Sequence, residues 1–264
     1  MSMELENQLV VVRGGGDLAT GIIYRLHKAG FPVVVLELPR PLVVRRRVAV
    51  AAAIVENEVK IEGMTARHIT AVDEAVKLAK EGIIPVMPSP NIPEGLHATI
   101  LIDARMAKRN IDTHLDQAQL VIALGPGFSA GIDCHVVIET KRGHRLGRVI
   151  WEGAAIPDTG TPGLVAGKGA ERVLRAPCEG TVSWQVEIGD VVKEDQTLGT
   201  VTNRIVKAPF NGVVRGLIMD GLTVRQRQKI GDVDARADVS ACFTISDKAL
   251  SIAGGVMEAI FTVR

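Results

Sequence analysis

Two glycine-rich turns carry the residues with the clearest chemical potential. The first, Gly14-Gly15-Gly16-Asp17-Leu18-Ala19, fits G-x-G-x-x-[G/A]. It lies between a β-branched run, Leu9 to Arg13, and a segment whose apolar residues Leu18, Ile22, Ile23 and Leu26 recur at helical spacing. In that context glycine lets the backbone turn tightly and approach a phosphate, and the N–H groups of the helix start bind the anion. Glu37 ends the next apolar run, at the distance where a carboxylate would accept from a ribose hydroxyl. Two neighbours oppose a plain dinucleotide. The carboxylate of Asp17 could itself take the positive helix end, and Arg40, between Pro39 and Pro41, suits a phosphate better than a bare ribose. A structural Gly-rich turn with no ligand is the alternative.

The second turn, Gly125-Pro126-Gly127-Phe128-Ser129-Ala130-Gly131, follows the apolar run Leu120 to Leu124. Open α/β sheets place ligands at the carboxyl ends of their strands, which singles out Gly125 and Gly127. Asp133, His135 and Glu139 alternate, and would share one face of a strand beginning at Asp133. Arg142 and His144 belong to the basic turn Lys141-Arg142-Gly143-His144-Arg145. Such a group could hold a phosphorylated or pterin-like ligand, or form a hairpin with a solvated basic tip. Cys134 is either a small buried filler or a thiol activated by His135, and these two are the catalytic candidates. Asp133, His135 and His144 lack metal-ligand spacing, so no metal is expected.

The elements that must position these residues alternate. After the first turn and its helix, Gly30 and Pro32 stop the helix, and Val33 to Leu36 reads as a buried parallel strand. Arg45 to Glu56 and Ala71 to Lys80 read as helices. Val59 to Ile61, Ile83 to Met87, Thr99 to Asp103 and Leu120 to Leu124 read as strands, and Arg148 to Trp151 returns as another. The fold expected for residues 1–152 is α/β, a Rossmann-like, mostly parallel sheet. Residues 153–172, with Pro157, Pro162 and several glycines, form a linker.

Residues 173–240 contain an internal repeat. Ala176-Pro177-Cys178-Glu179-Gly180-Thr181-Val182 recurs 32 residues later as Ala208-Pro209-Phe210-Asn211-Gly212-Val213-Val214, and Gly189/Gly221, Val192/Val224 and Gly199/Gly231 keep the same offset. Neither half could bury its apolar face alone. Residues 241–264 read as a closing helical segment interrupted at Gly254-Gly255.

Composition narrows the function classes. Thirty-one basic and thirty acidic residues nearly cancel, which disfavours non-specific nucleic-acid binding. Aromatics supply 3% and hydrophobic residues 47%, so the core is aliphatic. No apolar run reaches membrane-spanning length, no signal-type segment opens the chain, and three dispersed cysteines suggest no disulfide framework. A cytoplasmic location with reduced thiols is expected.

Two resemblances add to this reading. The A-P-x-x-G-x-V repeat resembles the barrel-sandwich fold of biotinyl and lipoyl carrier domains. The connection Thr202 to Ala208 lacks the carriers' attachment motif, so an unmodified β barrel-sandwich-like domain with no biotin or lipoyl group is implied. Across the whole chain, R-G-G-G-D-L-A-T-G, G-P-G-F-S-A-G, V-I-E-T-K-R-G-H-R-L-G-R-V and S-D-K-A…G-G-V-M-E-A resemble the YqeB-type accessory proteins of selenium-dependent molybdenum hydroxylase systems, compared in role with XdhC-type chaperones. That resemblance implies a maturation role, a molybdenum cofactor or dinucleotide as ligand, and a hydroxylase apoprotein or other maturation proteins as partners. A homo-oligomer is compatible with such a sheet. The competing readings are an NAD(P)-dependent oxidoreductase and a non-catalytic assembly scaffold.

Overall fold

Valine runs build the centre of the first unit. The computed structural model describes residues 5–158, 160 and 167–263. Its largest sheet has nine strands: β1 (Val10–Arg13), β2 (Val33–Leu36), β3 (Glu58–Ile61), β4 (Met64–His68), β5 (Ile84–Met87), β6 (Ile100–Asp103), β7 (Leu120–Leu124), β9 (Val136–Ile138) and β10 (Val149–Ile150). A short pair, β8 (Ser129–Ala130) with β11 (Gly153–Ala154), stands apart. The order is β10-β9-β7-β6-β1-β2-β5-β4-β3. All neighbours are parallel except the edge pairs β10–β9 and β3–β4. Val10, Val11 and Val12 are all fully buried, as a parallel strand covered on both faces requires. The α/β class is therefore the observed one.

Among the described residues four α-helices accompany the strands: α1 (Asp17–Lys28), α2 (Ala53–Glu56), α3 (Val72–Lys80) and α4 (Asp247–Thr262). Val10, Val12, Ile100 and Ile102 face one core with Ile22, Leu26, Ile252 and Val256 of α1 and α4. Val11, Val34 and Leu101 face the other, with Ala75 and Ala79 of α3. Ser246 caps α4 by accepting the Ala249 N–H at 3.2 Å. No helix among the described residues is long and apolar enough to cross a membrane.

The chain divides into two compact units that do not follow its order. The first comprises Met1–Pro41, Ala49–Asp158 and Ile245–Arg264; the second comprises Leu42–Val48 and Thr159–Thr244. The closing segment is thus part of the α/β unit, because α4 covers the sheet face that no crossover helix between β6, β7 and β9 covers. Its helix runs unbroken through Gly254-Gly255 rather than being interrupted there. Gly255 instead admits the carbonyl of Gly147, into which a Cβ would collide. The span Arg45 to Glu56 is also not one helix. It is two 3-10 turns, Arg46–Val48 and Val50–Ala52, followed by the single-turn α2. Of the linker expected at 153–172, residues 159 and 161–166 lie outside the described residues, and 153–154 pair as β11.

In the second unit the repeat becomes two four-stranded sheets. The first half supplies β12 (Val173–Arg175), β13 (Gly180–Trp184), β14 (Val191–Val192) and β15 (Thr197–Val201). The second supplies β16 (Arg204–Lys207), β17 (Gly212–Leu217), β18 (Thr223–Val224) and β19 (Lys229–Asp234). The sheet orders are β12-β19-β17-β14 and β16-β15-β13-β18. Exchanging each strand for its equivalent one repeat later turns one order into the other. Both sheets mix strands of both halves, so neither half has a sheet of its own. Lys207 ends β16, away from the hairpin turn at Thr202 and Asn203, with its ammonium 3.5 Å from Asp195.

Candidate functional site

The chain leaves β1 for β2 on one side and returns through β6 on the other, so β1 and β6 flank the point where strand order reverses. Ligand crevices of open α/β sheets form beyond the carboxyl ends of the strands there. Each of these strands ends in a charged residue, Arg13 and Asp103, paired in register and each 1% exposed.

A connected network joins them. Arg13 Nη2 donates to Asp112 Oδ2 at 2.8 Å and to the Pro90 carbonyl at 3.1 Å. Arg105 Nη2 lies 2.7 Å from Asp112 Oδ1 and donates to Asp103 Oδ2 at 2.6 Å. Thr113 Oγ1 also donates to Asp103 Oδ2, at 2.6 Å. The Arg13 bond, with help from Arg105 and against partial burial, holds the Asp112 carboxyl down at about 2. Burial would lower Arg105, but Asp103 and Asp112 outweigh it and raise its pKa. Arg13 is left incomplete: its Nε and Nη1 are buried and have no partner among the described residues. Asp112 and Pro90 satisfy Nη2 alone, and leaving the other two buried nitrogens unbonded is costly and calls for an explanation at the site.

A second cationic group lies at the same unit's loops. Lys248, in the first turn of α4, is half-buried and makes no hydrogen bond or ion pair among the described residues. Burial first, then the charges of Lys108 and Arg142, lower its pKa, while Asp17 and Glu139 oppose them. It therefore stands within electrostatic reach of the start of α1, whose N-cap, Gly16, provides no side-chain cap.

The structure redistributes the residues expected from sequence. Gly14 (φ +96°) and Gly15 are buried in the turn. A Cβ on Gly14 would lie 3.0 Å from the Ala104 backbone, and Gly15 hands its carbonyl to Ala51 N–H at 3.0 Å. The accessible part of the loop is Gly16, Asp17 and Leu18. Glu37 reaches the loop, but its oxygens already accept the Gly15 N–H at 2.8 Å and the Leu38 N–H at 2.7 Å. It helps close the turn and keeps lone pairs for a further donor.

At the second turn, Gly127 (φ +105°) lets the backbone of Arg109 approach to 2.5 Å of where a Cβ would stand, and Gly125 packs on Thr140. Asp133, His135 and Glu139 do not share a strand face, because β9 begins only at Val136. Asp133 takes the Ser129 N–H and, through Asn110, links to Thr113 of the Arg13 network. His135 Nδ1 accepts the Val121 N–H at 3.0 Å, toward the amino end of β7. Glu139 is buried and accepts the Lys141 and Ile156 N–H groups. Arg142 pairs with Asp247 at 2.7 Å, and His144 is exposed in its turn. Cys134 is fully buried, and burial, followed by Asp133, pushes its thiol up to about 12, which leaves it protonated at neutral pH. No group of three metal-ligating side chains occurs among the described residues.

Arg13, Asp103, Arg105, Asp112, Thr113 and Lys248 were not singled out from sequence. The signal was present for two of them, since Val-Val-Val-Arg and Ile-Leu-Ile-Asp each end an apolar strand in a charge. The rest come from loops and a distant helix that only the fold brings together.

No family model matches the chain. It is 47% identical over 256 residues to the uncharacterized protein YqeB of Escherichia coli strain K12, a match covering 96% of this chain and 47% of that protein. The chain is thus a homologue of YqeB over nearly its whole length, and spans about half the length of that curated relative. A solved aspartoacylase family protein from Mesorhizobium loti is 13% identical, covers 86% of this chain and 84% of its own, and has a TM-score of 0.29, too low to carry an argument.

Proposed function

We propose that the carboxyl edge of the parallel sheet holds the phosphate-bearing part of a nucleotide or molybdopterin-type cofactor, and that the chain serves the maturation of a selenium-dependent molybdenum hydroxylase. The observation that carries this is Lys248, a half-buried ammonium with no hydrogen bond or ion pair among the described residues, set between the cations Lys108 and Arg142 and the carboxylates Asp17 and Glu139. An anion gives that ammonium the partner it lacks, and a phosphate or pyrophosphate also suits the start of α1, which has no side-chain cap. The buried, unpartnered nitrogens of Arg13 mark the same strand edge for a negative group.

The role itself rests on the sequence resemblance alone. A molybdenum cofactor supplies the redox metal to the client enzyme. The residues of this chain bind and orient its anionic tail: Lys248 and Lys108 by charge, Gly16 and Leu18 by backbone N–H. A chaperone is preferred to an NAD(P)-dependent oxidoreductase on the sequence resemblance. The partners would be the hydroxylase apoprotein and other maturation proteins, in the cytoplasm.

The test is an anaerobic titration of the purified chain with molybdopterin cytosine dinucleotide, NAD and NADP, read by native mass spectrometry. Retention of the pterin dinucleotide, weakened at least tenfold by Lys248→Ala, is the expected result. Retention of NAD or NADP alone would replace the chaperone by the oxidoreductase. Binding of none, or binding indifferent to Lys248→Ala, would remove the assigned site.

A further inference from the structure

The second unit carries a cleft that the anion site does not explain. Its volume is about 240 Å³, and it is lined by Trp184 at the end of β13, by Val186, Glu187 and Ile188 just after it, by Asp220 after β17, and by Arg46 with Arg47 from the segment 42–48 of the same unit. That volume lies just below the roughly 300–1,000 Å³ of drug-sized ligand pockets, which limits an occupant to one small ring system.

The repeat shows what is unusual here. Residues 184–188 are equivalent to 216–220, so the cleft lies between two loops that the duplication made alike. Their side chains have diverged: Trp184 stands where the other half has Gly216, Glu187 where it has Met219, and Ile188 where it has Asp220. The second half needs glycine because Val44 packs there, with its Cγ1 2.8 Å from where a Cβ on Gly216 would stand. The first half has no such cover and places an indole at the position.

That indole is fixed rather than loose. Trp184 Nε1 donates to the Ile218 carbonyl at 2.9 Å, and the ring lies over Gly199, where a Cβ would come within 2.9 Å of Cε3. Asp220 Oδ1 accepts the Trp184 N–H at 2.7 Å, and Arg46 Nε donates to the Leu217 carbonyl at 2.8 Å. Glu187 and Arg47 are exposed, and their side chains have no hydrogen bond or ion pair among the described residues. The cleft therefore offers a pre-oriented aromatic face, carboxylate acceptors and a free guanidinium within one small volume.

We infer that this cleft binds a planar heteroaromatic anion carrying a 2-amino-4-oxo edge, the donor pattern shared by guanine and pterin rings. The ring stacks on Trp184. The adjacent ring N–H and exocyclic amine donate to Glu187, since a carboxylate accepts two parallel hydrogen bonds. An anionic substituent on the ring or its sugar meets Arg47. An adenine edge lacks that donor pair and is rejected, because the carboxylate would lose its water without gaining partners. The inference does not rest on the anion site of the first unit.

The experiment uses the full chain carrying Trp151→Phe, which leaves Trp184 as the sole tryptophan, labelled with ¹⁵N. Its indole N–H resonance is followed during titration with GMP, pterin-6-carboxylate, AMP and inorganic phosphate. A saturable shift is expected with GMP or pterin-6-carboxylate, and whichever binds more tightly identifies the source. AMP and phosphate should bind at least tenfold more weakly. Arg47→Ala and Glu187→Gln, both exposed changes that leave the spectrum otherwise native, should each weaken binding about tenfold. No saturable shift with either 2-amino-4-oxo ligand, equal binding of AMP, or unchanged affinity in both variants would overturn the assignment. Lys248→Ala should leave this titration unaltered, so failure here and failure of the anion site are separable.

Discussion

Asp112 owes its ionisation range to Arg13 and Arg105, partners it has only in the folded chain. Its carboxyl falls from the ordinary 3.8 to about 2, so the folded state binds this proton less readily than the unfolded one. The resulting stability is fully present above about pH 4 and is lost as pH falls toward 2. Asp112→Asn should flatten that part of the acid-unfolding curve, measured by circular dichroism, while leaving the neutral-pH slope unchanged. At Glu37, replacing the carboxylate with the amide in Glu37→Gln puts a donor where two backbone N–H groups need acceptors. A loss of about 1–3 kcal/mol in urea unfolding is expected. Cys134, with its thiol near 12, should resist iodoacetamide at pH 8 in the native chain, while the half-exposed Cys178 reacts; peptide mass spectrometry distinguishes them. These residues differ in how far the sequence revealed them. The Gly14–Gly16 turn was legible because strand, glycines and helix are contiguous. The partner of Glu37 was not, since a carboxylate at the end of β2 serves a turn or a ribose equally well until the distance to Gly15 is known.

Helix α1 meets α4 through a glycine, and the pair depends on it. A Cβ at Gly21 would lie 2.7 Å from Ala249 Cβ and 2.9 Å from its carbonyl oxygen. Gly21→Leu should force the helices apart and lower stability by about 1–3 kcal/mol, seen as a lower Tm, although leucine is the better helix former. Surface changes on α3, such as Lys77→Ala, should leave Tm nearly unmoved. Strands were the most legible elements, because runs such as Val33–Leu36 and Leu120–Leu124 are apolar at every position. The span Arg45 to Glu56 misled because its alanines favour a helix locally. There, tertiary anchors win: Arg45 donates to the Ala241 and Thr244 carbonyls within the second unit, and the Val50 N–H donates to Thr20 Oγ1 within the first. The alternation of Asp133, His135 and Glu139 misled for the converse reason. A period of two signals a strand face only if the strand extends that far, and here the Gly131 turn occupies its start.

The duplication and the discontinuous units set the behaviour of the molecule as a whole. Each sheet of the second unit takes two strands from each half, so a chain cut after Asn203 would deprive both sheets. A fragment of residues 167–203 should show the narrow amide dispersion of an unfolded chain in NMR, whereas the span with both halves and residues 42–48 should not. The repeat offset disclosed that duplication from sequence alone. What it could not disclose was that a contiguous division at 152 and 241 would separate α4 from the sheet it covers, since no local pattern tells a helix which core it belongs to. That placement bears on synthesis. Residue 103, the end of β6, leaves the ribosome 159 residues before residue 262, the end of α4. At roughly 5–20 residues per second the gap is about 8–32 s. For that interval the face carrying Ile100, Ile102 and Ile122 has α1 but not α4 to cover it, and the later-made repeat is complete first. The stretch most open to misassembly or to a holding chaperone is therefore an early part of the chain, and the last of its cover, α4, is the last element made.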